Sequence, residues 1–295
     1  MRPCGATGAV ERLLARCRFP PASSPVVCAV SGGADSLALL VLACAAGCDV
    51  TAVHVDHGLR PGSADEADVV ASAAAQFGAR FEGRRVDVAP GPNIEARARA
   101  ARRRVLPPDA LTGHTADDQA ETVLLNLVRG AGLSGLRGMP IEHRPLLAVR
   151  RTETHSLCAD LGLAPVVDPM NDDPALRRNR VRHELLPLLD EIAARDVALV
   201  ISRQSDLLRD DDDLLDELSA TVDPTDAAMV RAAPVALARR AVRRWLRCGS
   251  DDEHHPPDAA TVERVLAVAR GDATATDIGG GRRVIRSHGR LTITS

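Results

Sequence analysis

The hexapeptide Ser31-Gly32-Gly33-Ala34-Asp35-Ser36 follows the apolar run Val26-Val27-Cys28-Ala29-Val30 and precedes a second apolar run, Leu37 to Leu42. A strand, a glycine turn and a helix in that order form a phosphate site. Successive glycines let the backbone approach an anion with no Cβ in the way, and they tolerate the positive φ angles that turn N–H groups inward. The helix that follows adds its positive end to the same spot. A second constellation is Gly113-His114-Thr115-Ala116-Asp117-Asp118-Gln119-Ala120-Glu121-Thr122. Two adjacent acids at a helix start would repel a nearby phosphate, and Mg²⁺ bridging carboxylate to phosphate oxygens resolves the conflict. Asp35, Asp117 and Asp118 are therefore the candidate metal ligands, and helix capping by Thr115 or Asp117 can hold alongside for one of the acids. A third segment, Val53-His54-Val55-Asp56-His57-Gly58-Leu59-Arg60, ends an apolar run. Its backbone at His54 and Val55 is placed to line the crevice beside the phosphate loop, although histidines beside an aspartate are more often formers of loop hydrogen bonds.

The spacing excludes two other phosphate loops. A Walker A loop needs a lysine, and the chain has none, so all 37 of its basic residues are arginine. A dinucleotide fingerprint needs a third glycine that is absent here. The same lack of lysine removes Schiff-base chemistry, and the absence of tyrosine removes phenolic acids and tyrosine stacking.

Elements that could position these residues alternate along the first part of the chain. Strands are expected at 26–30, 49–56, 81–88 and 110–113. Helices are expected at 37–46, 63–77, from an Asn93 cap to about 104, and at 117–129. This alternation predicts an α/β domain, a parallel sheet with helices on both faces, whose ligand sits at the carboxyl ends of the strands. The loops 31–36, 54–57 and 113–118 would then share one edge. From about residue 195 the pattern turns helical, at 197–208, 211–218, 234–246 and 258–269, with a short β segment around 284–293. Two domains follow: 1–190, which carries the phosphate loop, and a smaller, mainly helical 191–295.

Composition sets the outer limits. The chain has 295 residues, is 45% hydrophobic and carries a formal charge of −3. It shows neither a membrane-length apolar run nor a signal-peptide core, which points to the cytoplasm. Seven cysteines without a Cys-x2-Cys pair argue against a disulfide framework and against zinc or iron–sulfur ligation. Cys44 and Cys48 read as small core residues. Arginines cluster at 97–104, 177–182, 239–247 and 282–290. Such local basic patches on a near-neutral chain suit a phosphate-bearing macromolecule, and equally the solvated face of a helix. Arg239, Arg240, Arg243, Arg244 and Arg247 fall on one amphipathic helix, a candidate contact for an RNA stem.

The pattern Ser-Gly-Gly-x-Asp-Ser resembles the PP-loop of the N-type ATP pyrophosphatases. Within them, five motifs in order over residues 26–190 resemble the tRNA(Ile)-lysidine synthetase family. These are the loop itself, Val53 to Ala64, Gly113 to Thr122, Leu127-Val128-Arg129-Gly130-Ala131-Gly132-Leu133-Ser134-Gly135-Leu136-Arg137-Gly138-Met139, and Asp168-Pro169-Met170-Asn171-Asp172-Asp173 with Arg178-Asn179-Arg180-Val181-Arg182-His183-Glu184-Leu185-Leu186-Pro187. Two positions depart from the family pattern. Arg103 stands where a tyrosine is common, with Arg99 and Arg102 kept, and Thr115 stands where a second histidine is frequent.

The resemblance implies a ligase that binds ATP with Mg²⁺, an isoleucine tRNA with a CAU anticodon, and free L-lysine. The carbon-2 oxygen of the wobble cytidine attacks the α-phosphate and releases pyrophosphate. The lysine amine then displaces AMP, and the resulting lysidine changes codon recognition to AUA. On this reading Ser31, Gly32, Gly33, Ala34, Asp35, Ser36, His54 and Val55 bind ATP. Arg99 and Arg178, with Arg182, steady phosphate charge, and Asp35, Asp117 and Asp118 serve the metal and orient the amine. The sequence leaves the oligomeric state open, a homodimer included. Alternatives are a PP-loop tRNA thiolase, disfavoured by the cysteine spacing; a non-catalytic nucleotide-binding module, which would not need the acidic pair; and a small-molecule amidase or ligase.

Overall fold

The computed structural model describes residues 4–56, 58, 63–86, 94–167, 173–248 and 257–294. The chain divides into two compact units, Met1–Leu207 and Leu208–Ser295. The expected boundary at 190/191 lies within the first of these, in helix α9 (Leu186–Ala193).

The first unit is built on four parallel strands, β1 (Pro25–Ala29), β2 (Asp49–Asp56), β3 (Arg80–Arg85) and β4 (Leu111–Thr112), in the order β3-β2-β1-β4. The order reverses at β1. Strands β2 and β3 lie on one side of it and β4 on the other, so the crevice at the carboxyl ends of β1 and β4 is a topological switch point. Successive residues of β2 are buried on opposite faces, Ala52 at 0% and Val53 at 1% exposure, as a sheet covered on both sides requires. Helix α2 (Ala34–Ala45) explains much of this core: Leu37, Leu39, Leu40 and Leu42 are all fully buried, so the helix is apolar all round. It packs on α1 (Cys4–Leu14), α3 (Ser63–Phe77) and α7 (Arg151–Asp160). Cys44 and Cys48 pack against the same core, as small residues there should.

Helix α4 (Ile94–Val105) lies between β3 and β4 in the chain, and α5 (Ala116–Val128) and α6 (Leu133–Leu136) follow β4. The Asn93 cap and the end of the third strand beyond residue 86 lie outside the described residues. Helix α8 (Arg177–Arg180) runs into a π-helical turn, Val181–Leu185, and then into α9. A small apolar cluster holds this segment beside α5, joining Ala120 and Leu124 to Val181, Leu186 and Ala198.

The region expected to form two helices, 197–208 and 211–218, is one helix, α10 (Val197–Ala220). The Asp210–Asp213 run does not break it. Asp213 lies exposed, whereas Asp212 is buried at 1% and takes its charge partner from Arg240. The division between the units falls inside this helix. The second unit also holds α11 (Ala227–Ala232), α12 (Val235–Cys248) and α13 (Ala259–Arg270), which starts at an Asp258 cap. Its β part is larger than expected: an antiparallel sheet of β5 (Ala275–Gly279), β6 (Arg282–Ser287) and β7 (Arg290–Thr294). The Ala-Thr-Asp-Ile-Gly sequence of β5 carries little strand signal of its own. Pairing with β6 and packing of Ile278 on the α12–α13 core hold it in place.

Candidate active site

Glycine geometry shapes the loop between β1 and α2. Gly32 sits at φ +87°, where an L side chain is strained, and its carbonyl accepts from the Val166 amide at 3.0 Å. Ser36 folds its hydroxyl back into the loop, accepting from the Ser31 amide at 3.1 Å and donating to the Gly33 carbonyl at 2.8 Å. No side chain caps the start of α2 at Gly33. The first amides of that helix therefore point into the loop without an intrahelical partner, which is the arrangement that receives an anion. Gly113, just after β4, meets this helix so closely that a Cβ there would lie 2.6 Å from the Asp35 carbonyl oxygen. That contact brings the acidic motif to the loop.

The acids meet arginines. Asp117 takes a bidentate contact from Arg150, both bonds 3.0 Å, and the Arg151 amide at 2.7 Å. Asp118 closes the start of α5 by accepting from the Thr115 amide and hydroxyl at 2.9 and 3.0 Å. Its other oxygen accepts from Arg151 at 2.9 Å and Arg178 at 3.1 Å. Thr115 is thus the N-cap, in a capping box with Asp118, and the capping coexists with the charge contacts. Glu121 is fully buried, and Arg151, Arg178 and Arg182 converge on it at 3.0, 2.5 and 2.7 Å. Asp35 accepts from the Thr154 hydroxyl and, at a long 3.3 Å, from Arg151. Arg150 also pairs with Asp196, the residue before α10.

These surroundings set the carboxylates apart. Burial would raise Asp117, but Arg150 and the Arg151 amide outweigh it and hold the carboxyl below the usual range. Asp118 is likewise pushed up by burial and held below the usual range by the charges of Arg151 and Arg178. Asp35 goes the other way. Burial raises it, the contacts from Thr154 and Arg151 only partly offset that, and the charge of Asp118 adds to it. One site therefore holds two firmly ionised acids and one that keeps a proton more readily.

The sequence-predicted residues Ser31, Gly32, Gly33, Ala34, Asp35, Ser36, Asp117, Asp118 and Arg178 come together here. His54 is buried at 2%, with Nδ1 3.0 Å from the Val30 carbonyl just before the loop, and Val55 follows it at the end of β2. Among the described residues the buried Nε2 of His54 has no hydrogen-bond partner. Arg99 lies in α4, but its side chain is outside the described residues, as is His57. Sequence reasoning missed roles for Arg150, Arg151, Thr154 and Glu121. A signal was available, because paired arginines at the start of α7 oppose the helix dipole and need an acidic partner to be favourable there. Among the described residues, no group of three or more His, Cys, Asp and Glu side chains is arranged to hold a metal by itself.

Residues 7–189 match the family model of the PP-loop domain, and residues 226–292 match that of the TilS substrate binding domain. A protein of Nocardia farcinica named tRNA(Ile)-lysidine synthase is 42% identical over 298 residues, covering 93% of each chain. One of Salinispora tropica with the same name is 41% identical over 304 residues, covering 92% of this chain and 91% of its own. Among solved structures, the U34-tRNA thiolase NcsA from Methanococcus maripaludis with its [4Fe-4S] cluster aligns with a TM-score of 0.56 at 18% identity. It covers 70% of this chain and 79% of that one, a likeness of fold.

Proposed function

The chain belongs to the tRNA(Ile)-lysidine synthase family, whose members are ATP-dependent ligases, and from that membership we propose how its residues divide the work. The observation that carries the reading is the meeting of Asp35, Asp117, Asp118 and Glu121 with Arg150, Arg151, Arg178 and Arg182 beside the uncapped start of α2. The loop amides from Ser31 to Ser36 hold the triphosphate, and the end of β2, at His54 and Val55, faces the adenine. Arg178 and Arg182 hold charge that builds on the α-phosphate as the carbon-2 oxygen of the wobble cytidine attacks, and Arg99 joins them. Pyrophosphate leaves first. Lysine enters as a free amine, because an ammonium group has no lone pair to attack with. A carboxylate of this group is the proposed acceptor of the proton that the amine gives up on attack. Asp117 and Asp118 orient the amine.

Magnesium fits this donor set in a graded way. Asp35 engages only Thr154 and a distant Arg151 guanidinium, whereas the oxygens of Asp117 and Asp118 are largely occupied by arginine and backbone donors. A cation that keeps water and phosphate oxygens as ligands needs only one or two carboxylates. Asp35 is the residue proposed to hold it, and Asp117 and Asp118 would share it where their arginines engage phosphate instead. When bound, Mg²⁺ would neutralise charge on the departing pyrophosphate.

Residues 191–295 are proposed as the part that reads the tRNA body. Within α12, Arg239, Arg240 and Arg244 are spent on Glu263, Asp212 with Asp216, and Ser219. Arg243 is exposed and, among the described residues, has no protein partner, so it is the arginine of this helix best placed for RNA. Among the described residues no helix is long and apolar enough to cross a membrane, and the proposed location is the cytoplasm. The decisive assay incubates the protein with ATP, radiolabelled lysine and unmodified isoleucine tRNA carrying a CAU anticodon. Label that depends on the wobble cytidine supports the reading, and pyrophosphate release without label refutes it.

A further inference from the structure

The segment from α8 through the π-helical turn has two working faces. Arg178 and Arg182, four residues apart, point to Glu121. On the other side Arg180, His183 and Glu184 line an open cavity of about 270 Å³, with Pro174 and the nearly buried Asn179 completing its wall. Arg180 is fixed flat. Its Nε donates to both Glu184 oxygens at 3.0 and 3.2 Å, and its Nη2 to one of them at 2.9 Å. Both side chains are more than half exposed, so this pair adds little stability. Its consequence is orientation: a guanidinium plane held at the cavity mouth.

A planar group at that place answers a shortage set by composition. Recognition of single-stranded RNA relies on stacking unpaired bases against aromatic rings or arginine planes. This chain has no tyrosine, three phenylalanines and one tryptophan. Phe19, Phe77 and Phe81 are packed on the first core, and Trp245 on the second. None of these four is left as a platform beside the site, where the imidazole of His183 is the ring in the cavity wall.

We propose that the cavity lined by Asn179, Arg180, His183 and Glu184 receives an unpaired nucleobase of the RNA substrate, one flanking the nucleotide that is modified. The base stacks on the Arg180 plane, and the Glu184 carboxylate offers acceptors to its edge. Across one helix, roughly 10 Å in diameter, Arg178 and Arg182 face the reacting phosphate. A short span of strand thus connects the stacked base to the chemistry. This rests on the ligase reading above, which supplies the RNA.

The test uses the whole protein and an anticodon stem-loop RNA with a CAU loop, with affinity read by fluorescence anisotropy over a range of salt. Arg180→Lys keeps the charge and loses the plane. It is expected to weaken RNA binding about tenfold while the salt slope, ATP affinity and melting temperature stay at wild-type values. Arg180→Ala is expected to weaken binding at least as much. RNA affinity within twofold of wild type for Arg180→Lys overturns the proposal. So does a loss that comes with weaker ATP binding or a lower melting temperature, which would make Arg180 structural. Failure of the wild-type protein to join lysine to the tRNA would sink the ligase reading instead, and the anisotropy series would still decide the base pocket.

Discussion

Glu121→Gln removes one charge from the centre of the arginine network and changes little in volume. Glu121 is fully buried and accepts from Arg151 at 3.0 Å, Arg178 at 2.5 Å and Arg182 at 2.7 and 3.3 Å. A glutamine keeps one acceptor and turns an NH₂ toward guanidinium donors. Removing one member of a buried ion network costs about 3–5 kcal/mol, chiefly from the charge left behind. Arg151 and Arg178 retain Asp118, so only Arg182 loses its sole partner among the described residues, and the cost belongs near about 3 kcal/mol. For a unit of this size that lowers the melting temperature by about 6–12 °C. ATP discriminates the mechanism. At a hundredfold excess over its dissociation constant, a ligand stabilises the folded state by about 2.7 kcal/mol. If the guanidiniums freed from Glu121 turn to the triphosphate, ATP restores more than this in the variant. Calorimetric scans of both proteins, with and without ATP, measure the difference. A melting temperature within about 2 °C of wild type, or the same ATP shift in both proteins, would refute the account of Glu121 as the network's centre.

Asp35→Asn should abolish lysine incorporation yet raise the melting temperature at pH 7. Burial raises the folded-state pKa of Asp35, so its ionised form destabilises the fold as pH rises through that value. The gain should vanish on acidification below the ordinary aspartate value of 3.8, and a lower melting temperature for the variant at pH 7 would contradict it. Gly113→Ala places a Cβ 2.6 Å from the Asp35 carbonyl oxygen and forces the start of α2 to shift, at a cost of about 1–3 kcal/mol. Titration calorimetry should show ATP affinity reduced by about tenfold or more, and wild-type affinity would show the close approach to be irrelevant. In the second unit, Arg240→Ala takes the guanidinium from the buried Asp212 carboxylate and should destabilise that unit by about 1.5–3 kcal/mol, read by denaturant unfolding. Arg243→Ala should leave its stability within about 0.5 kcal/mol and reduce tRNA affinity and the salt slope; an unchanged slope argues against RNA contact.

The ATP-binding half was legible because its signals are local. Glycines at 32 and 33, an apolar strand before them and an apolar helix after them specify a turn whose backbone geometry hardly depends on the rest of the chain. The alternation of strands and helices carried the parallel sheet, since crossovers of one hand leave few other ways to order them. In the second unit, local signals sufficed for α12 and α13. They failed at Asp210–Asp213, where a buried pair with Arg240 lets the helix continue, and at β5, where sheet pairing supplies what the residues lack.

Sequence by itself also determined the chemical inventory: a phosphate loop without lysine, an acidic pair behind Thr115, and arginine as the only strong cation. It could not assign partners. Asp117 and Arg150 are separated by 33 residues and Glu121 and Arg182 by 61, and nothing in a linear pattern says which guanidinium a carboxylate will meet. Packing decided that. Helix α7 lies against α2 and so delivers Arg151 and Thr154 to Asp35, and the apolar cluster around Ala120 and Val181 sets the RNRVR segment over Glu121. Ion pairs give no local propensity to read. They form wherever the burial of apolar neighbours happens to bring charges together, and burial is a property of the whole fold.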